Sequence, residues 1–145
     1  RSLTRLTLGS PRPEDELGLL RRRRSGAPLE GVRQVAGQAE LEGLCRAADA
    51  VYLSDEVLDY IVRLVGATRS HPLILQGGSP RATLAGAAGG RAAALVRGRD
   101  YVIPEDVSEL FRDTVAHRLL LAPGAREGQD PVGDVLHAVR PPRLG

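Results

Sequence analysis

The chain has 145 residues, of which 42% are hydrophobic, and its 20 basic and 18 acidic side chains leave a formal net charge of +2. This length suits one domain with a core of ordinary size, and the nearly balanced charge does not predict a nucleic-acid or membrane partner. All 20 basic residues are arginine, so the chain lacks the lysine of a phosphate-binding P-loop and contains no Walker A site.

Cysteine, histidine and methionine usage narrows the class of protein further. Cys45 is the single cysteine, which excludes an internal disulfide, and the histidines lie too far apart in sequence for helical metal-ligand spacing. We therefore predict no metal site. The chain has no run of about 18 apolar residues and no signal-peptide pattern, so we expect a cytoplasmic protein without a membrane partner. It also lacks methionine, which we interpret as the mark of a piece of a longer polypeptide.

The beginning of the chain predicts one isolated strand. Residues 3–8, "LTRLTL", alternate apolar and polar side chains, and "GSPRP" then ends the pattern. No second strand follows nearby, so we interpret residues 1–12 as the remnant of the last strand of an upstream sheet and its linker. The remaining sequence predicts an all-α fold, with a bundle of about five helices in residues 13–122 and a loop with a short helix in residues 123–145.

Charge and apolar spacing define the first two helices. The first begins at Pro13, has acids in its first turn and ends in the arginine run 21–24, an order that complements the helix dipole. We interpret the run as a solvated helix end, with a basic contact patch as the alternative. The second helix, "AELEGLCRAADAV", presents one apolar face to the core. That face comprises Leu41, Leu44 and Ala48, with Cys45 beside them as a buried thiol.

Two later helices have the clearest apolar stripes. In "LSDEVLDYIVRLVGATR", Ser54 is the predicted N-cap, and Leu53 is placed to pack against Leu58 as a hydrophobic staple. The stripe of this helix consists of Val57 or Leu58, Ile61, Val62 and Val65. The helix in "IPEDVSELFRDTVAHRLLL" has a stripe of Val107, Leu110, Phe111 and Val115. We expect Tyr60 and Tyr101 to keep their hydroxyls at the surface, and His117 to form a hydrogen bond within the domain.

Between these helices, "QGGSPRATL" specifies a helix start that runs on to about Val96 through a segment rich in Ala and Gly. Ser79 can accept a hydrogen bond from an amide of the first turn, and Pro80 suits the first helical position. Arg81 then stands at the positive end of the helix dipole, where a cation is disfavoured by roughly 0.3 to 1 kcal/mol. A guanidinium beside free amides is a good receiver for phosphate, although simple capping explains the same spacing.

The order of "RSLTRLTLGSP", "LSDEVLDYIVRLVGATRSHP", "GGSPRATL", "GRDYVIPEDV" and "VAHRLLL" resembles the C-terminal part of MoxR-family AAA+ ATPases over nearly the whole chain. The resemblance implies that Arg81 is the sensor 2 arginine of a lid-domain helix, which reaches the γ-phosphate of ATP, with Ser79 and Pro80 in the same nucleotide-binding turn. The family has Ala where Gly78 stands. The resemblance also implies that Arg1 is the remnant of an arginine finger, which acts on the ATP of a neighbouring subunit.

The same resemblance implies what lies outside the chain. Walker A, Walker B and sensor 1 would belong to an upstream αβα core, which holds most of the contacts to ATP and Mg²⁺, so no catalysis is expected from this chain alone. Relatives of this family form rings, often hexamers. They act as chaperone-like ATPases that mature or insert metals into client proteins, commonly alongside von Willebrand factor A domain proteins.

A second interpretation is a helical DNA-binding or protein-interaction module with no nucleotide role. The arginine run 21–24, the sequence pI near 9.2 and the histone-like appearance of "GRDYVIPEDV" support it. Against it, the charges nearly cancel, and only three Tyr and one Phe are available for stacking on bases. The lid-domain interpretation therefore takes precedence, and we expect no nucleic-acid partner.

Overall fold

The structure is a computed structural model that describes residues 2–24, 31–124 and 128–143. Within these ranges it contains six α-helices and one two-stranded antiparallel sheet. The elements are α1 (Pro13–Arg24), α2 (Gln38–Ala50), α3 (Asp55–Ser70), β1 (Ile74–Gln76), α4 (Pro80–Val96), α5 (Pro104–Val115), β2 (Leu120–Leu121) and α6 (Pro131–Ala138). The expected all-α fold is confirmed, and α6 is the predicted last short helix. Arg1 lies outside the described residues.

The core lies where α3, α4 and α5 meet, and α6 packs against α3 and α5. Glycines of α4 allow this close approach, because a Cβ at Gly86 would lie 3.2 Å from Ile61 and one at Gly89 would lie 3.2 Å from Thr114. The low intrinsic stiffness of α4 is thus compensated by tight packing on two neighbours. Residues with less than 3% exposure in the core include Val57, Tyr60, Ile61, Leu64, Val65, Val107, Phe111 and Val115.

The predicted start of α3 is confirmed, because the Ser54 hydroxyl accepts a hydrogen bond from the Val57 amide at 3.4 Å. Its predicted stripe is confirmed at Val57, Ile61 and Val65 and is wrong at Val62, which is exposed. The expectation for Tyr60 is also wrong, because this residue is buried and the loss of solvation raises the pKa of its hydroxyl. Tyr60 is buried because α3 packs against α4, α5 and α6, which widens its buried face beyond a single stripe.

The predicted burial of α2 is wrong for its large residues. Leu41 is 60% exposed, Leu44 is 58% exposed and Cys45 is also exposed. In the described residues α2 packs mainly on α4, and of its predicted apolar face only Ala48 is half-buried. Because one neighbour covers only a narrow side of a helix, the apolar face with the large residues stays uncovered.

In this chain the described residues before α1 form no strand, and because the expected partner strands do not belong to the chain, the strand remnant in residues 1–12 stays a prediction. A strand needs a partner along several residues, whereas in the described part of the chain this segment forms a backbone hydrogen bond from the Arg5 amide to the Asp113 carbonyl at 2.8 Å. The sheet lies elsewhere: Ile74 of β1 pairs with Leu121 of β2. Strands β1 and β2 are each too short to show the alternation of apolar and polar residues that predicts a strand from sequence.

Candidate functional site

The predicted phosphate-facing residues Ser79, Pro80 and Arg81 lie together at the start of α4. Pro80 is the first residue of the helix, as predicted, and Arg81 is the second and is exposed. The predicted cap is wrong in one detail, because the Ser79 side chain makes no capping hydrogen bond. The backbone closes the first turn instead, with the Ala82 amide donating to the Ser79 carbonyl at 2.8 Å. The serine hydroxyl is therefore not used by the helix.

Residues at the C-terminal end of α3 form hydrogen bonds with the glycine turn that precedes α4. The Gly78 amide donates to the Thr68 hydroxyl oxygen at 2.8 Å, and the Nε of Arg69 donates to the Gly78 carbonyl at 2.8 Å. Thr68 is buried and in turn donates its hydroxyl proton to the Val65 carbonyl at 2.6 Å. Both polar backbone groups of one residue are thus bound by consecutive residues of α3, which ties the beginning of α4 to the end of α3.

Steric contact strengthens this connection at the two glycines. A Cβ at Gly77 would lie 2.6 Å from the Cα of Arg69 and 2.7 Å from its backbone nitrogen. A Cβ at Gly78 would lie 2.8 Å from a methyl carbon of Val65, so the alanine typical of the family would require Val65 to move. Gly77 is therefore required by the close approach of two backbones, whereas Gly78 lies against the side chain of Val65; neither glycine has a positive φ.

We expect Gly77→Ala to lower the free energy of unfolding by about 2 kcal/mol, because its methyl group collides with backbone atoms that cannot rotate away. Gly66→Ala is the matched control, since a Cβ there meets nothing within 4 Å in the interior of α3. This control should be stabilising by about 0.5 to 1 kcal/mol. Urea unfolding followed by circular dichroism measures both variants, and equal stability of the two would contradict the tight contact.

Arg81 lies at the positive end of the α4 helix dipole, where a cation would be stabilised by a nearby counter-charge. Arg63 pairs with Asp59, and Arg112 pairs with Asp130, but no described residue forms a hydrogen bond or ion pair with Arg81. The first turn of α4 contains no acidic residue. The positive end of the helix dipole thus carries an additional cation with no internal counter-charge, an arrangement suited to an external anion.

A second charged cluster lies at the other end of α4. Asp106 is 0% exposed and accepts hydrogen bonds from Arg97 at 2.7 Å, from Arg99 at 2.5 and 2.7 Å, and from the Ile103 amide at 3.0 Å. Burial would raise the pKa of Asp106, but hydrogen bonds from Arg99, the Ile103 amide and Arg97 outweigh it and lower that pKa. Because this carboxylate is fully engaged, the cluster joins α4 to α5 and does not form a reactive site.

Sequence reasoning missed this cluster, although a signal was present. Asp106 is the third residue of a helix that begins with Pro104, the position from which a carboxylate accepts the amide of the N-cap residue. Two arginines, Arg97 and Arg99, precede it by a short loop. The pattern indicates a capping carboxylate, and only the fold reveals that both arginines bind it.

A smaller polar cleft lies between α5 and the segment before α1. It is lined by Arg5, Thr7, Arg112, Asp113, Ala116 and His117. The Nδ1 atom of His117 is buried there and has no hydrogen-bond partner among the described residues, so the expectation for this ring is wrong at Nδ1. In the described ranges no group of three His, Cys, Asp or Glu residues is placed to hold a metal ion, and no helix has the length and hydropathy needed to cross a membrane.

The sequence matches one known family along its second half. Residues 66–138 match the family described as AAA lid domain. This segment includes the end of α3, the glycine turn and all of α4, α5 and α6. The match therefore covers every residue of the turn that positions Arg81, apart from Val65.

Known proteins resemble the chain more widely. It is 34% identical over 146 residues to the uncharacterized protein YeaC of Bacillus subtilis (strain 168), covering 98% of this chain and 46% of that protein. It is 37% identical over 130 residues to Chaperone MoxR1 of Mycobacterium tuberculosis, covering 83% of this chain and 34% of that protein. A crystal structure assigned to an ATPase of Cytophaga hutchinsonii superimposes with a TM-score of 0.83 at 27% identity, over 97% of this chain and 47% of that one. The chain thus spans less than half the length of each of these proteins.

Proposed function

The chain belongs to the AAA lid domain family as the lid domain of a MoxR-type AAA+ ATPase, and on this premise we propose that Arg81 is its sensor 2 arginine. In this role Arg81 binds the γ-phosphate of an ATP molecule held by a separate AAA+ core. The observation that carries the proposal is the exposed guanidinium at the second residue of α4, which has no partner in the described part of the chain. A phosphate relieves the unfavourable position of this cation.

The residues of the turn fit a phosphate group. Arg81 offers a planar fork of donors, and the first turn of α4 has no carboxylate that would repel an anion. Ser79 and Pro80 define the turn, and the Ser79 hydroxyl is left unused by the helix. Mg²⁺ would be held by the core, because the described residues provide no cluster of carboxylates. Bound ATP supplies the bond that is cleaved, and Arg81 stabilises the negative charge on its terminal phosphate.

The proposal also covers the oligomeric assembly of the full-length protein and its partner proteins. We extend the proposal to a homo-oligomeric ring, often a hexamer in the family, in which the position of the lid reports the nucleotide state and drives chaperone-like remodelling of partner proteins. The name of the relative Chaperone MoxR1 supports a chaperone role. Partners with von Willebrand factor A domains, a cytoplasmic location and an arginine finger at Arg1 belong to the same proposal.

The isolated chain provides the first test. It should show no measurable ATP hydrolysis and at best millimolar ATP affinity, because it has no lysine for a P-loop and contributes one side of the site only. Phosphate release and titration calorimetry measure these quantities, with the full-length ATPase at equal concentration as the positive control. Micromolar ATP binding by the isolated chain would contradict the proposal that a separate core provides most of the contacts to ATP. Tight, salt-sensitive binding of duplex DNA would favour the alternative of a DNA-binding module.

A further inference from the structure

Among the described residues, no side chain forms a hydrogen bond or ion pair with Arg81, so we take its placement to depend on the backbone at the start of α4. That backbone is bound at Gly78, three residues earlier, by Thr68 and Arg69 of the last turn of α3. Thr68 is fully buried, and its hydroxyl is used twice, as acceptor from the Gly78 amide and as donor to the Val65 carbonyl. The hydroxyl therefore has one orientation that satisfies both bonds.

We propose that Thr68 and Arg69 are positioning residues for Arg81, an inference that rests on the proposed function of Arg81 as a γ-phosphate ligand. They act by fixing the Gly78 peptide groups, so that α4 begins at a constant place relative to α3. A misplacement of a catalytic group by about 1 Å can reduce a rate strongly even when the group itself is intact. Thr68 and Arg69 would thus affect turnover without touching the nucleotide.

The contacts around Gly77 make α3 and the turn move together. The Cα of Arg69 lies so near that a Cβ at Gly77 would be 2.6 Å away, and the hydrogen bonds at Gly78 act on the next residue. A displacement of the end of α3 is therefore transmitted directly to the first turn of α4. A change in packing at α3 would therefore reach Arg81 through the contact at Gly77 together with the hydrogen bonds of Thr68 and Arg69 to Gly78.

Arg69 offers a sharp chemical test because its Nε, rather than the tip of its guanidinium, donates to Gly78. The side-chain amide nitrogen of glutamine stands the same number of bonds from Cα as this Nε. Arg69→Gln therefore keeps a donor at the required place and removes the charge, whereas Arg69→Met keeps the length and removes both. At position 68, Thr68→Ser keeps the hydroxyl and Thr68→Val removes it.

The experiment measures steady-state ATP hydrolysis by the full-length ATPase with each of these four substitutions. We expect Arg69→Met and Thr68→Val to lower kcat roughly tenfold with little change in KM, since positioning of a γ-phosphate ligand affects the transition state most. Arg69→Gln and Thr68→Ser should stay within about threefold of the unmodified protein, because both retain the hydrogen bond. Combining Arg69→Met with Arg81→Ala should give the rate of Arg81→Ala alone, because the two act through one group.

Two results of the turnover measurements would overturn the inference. Equal loss in Arg69→Gln and Arg69→Met would show that the charge of Arg69 acts on the nucleotide directly. An additive loss in the double variant would show that Arg69 acts by a route independent of Arg81. Thermal melting identifies any variant that fails to fold, and the Arg69 pair decides the matter if Thr68→Val does not fold.

Amide hydrogen exchange separates this inference from the proposed function. If Arg81→Ala leaves turnover unchanged, the proposed function fails. The exchange rate of the Gly78 amide tests separately whether Thr68 holds the turn before α4. Thr68→Val should speed exchange of the Gly78 amide, because it removes the acceptor, and Thr68→Ser should not. An unchanged Gly78 exchange rate in folded Thr68→Val would overturn the positioning role by itself.

Discussion

In the full-length ATPase, Arg81→Ala is expected to lower the rate of ATP turnover by about a hundredfold while the fold stays intact. The guanidinium would provide a preorganised positive charge at the γ-phosphate, and its loss removes stabilisation that is needed as charge develops in the transition state. Stability should stay the same or rise slightly, because the substitution removes a cation from the positive end of α4. A loss of activity through unfolding is therefore not expected.

Two further variants make this result specific. Arg81→Lys keeps the charge but loses the planar fork of donors, so its turnover should lie between those of the unmodified protein and Arg81→Ala. Arg46→Ala removes another exposed helical arginine, in the interior of α2, and should leave turnover unchanged. Initial rates of phosphate release at saturating ATP and Mg²⁺ measure all three. Unchanged turnover in Arg81→Ala, or an equal loss in Arg46→Ala, would contradict the assignment of sensor 2.

The residues next to Arg81 in sequence are sufficient to predict its position in α4. Pro80 suits only the first turn of a helix, and the glycines before it end the preceding segment, so the register of Arg81 follows from its immediate neighbours. The position of the N-cap Ser54 could be predicted for the same reason. Features that depend on a few adjacent residues are accessible from one sequence because the backbone geometry at a helix start is narrowly restricted.

Features that depend on the neighbours of a helix could not be predicted in this way. The face of α2 with Leu41 and Leu44 is as apolar as a core face, but a single sequence does not reveal whether another element covers it. The contacts of Thr68 and Arg69 with Gly78 could not be predicted either, since they join the last turn of α3 to the turn before α4. Periodicity indicates which side of a helix is apolar, whereas tertiary packing decides what that side meets.

The largest effect on stability is expected at Asp106. Asp106→Asn should lower the free energy of unfolding by about 3 kcal/mol at neutral pH, because it removes a buried negative charge that is bound by two arginines. The arginines are 43% and 20% exposed at their side chains, so water can solvate them in part and the loss stays below that of a wholly buried pair. Asp100→Asn, at an exposed position in the loop between α4 and α5, is the matched control and should be nearly neutral.

The dependence of this effect on pH identifies the charge as its source. The folded-state pKa of Asp106 lies below its ordinary value of 3.8, so the stabilisation is fully present above that value and is lost as pH falls through the lower, folded-state pKa. The difference in stability between the unmodified chain and Asp106→Asn should therefore be constant from neutral pH down to about pH 4 and shrink below it. Urea unfolding of both chains across this range measures the difference. A difference that persists undiminished at the lowest pH would mean that shape, rather than charge, makes Asp106 important.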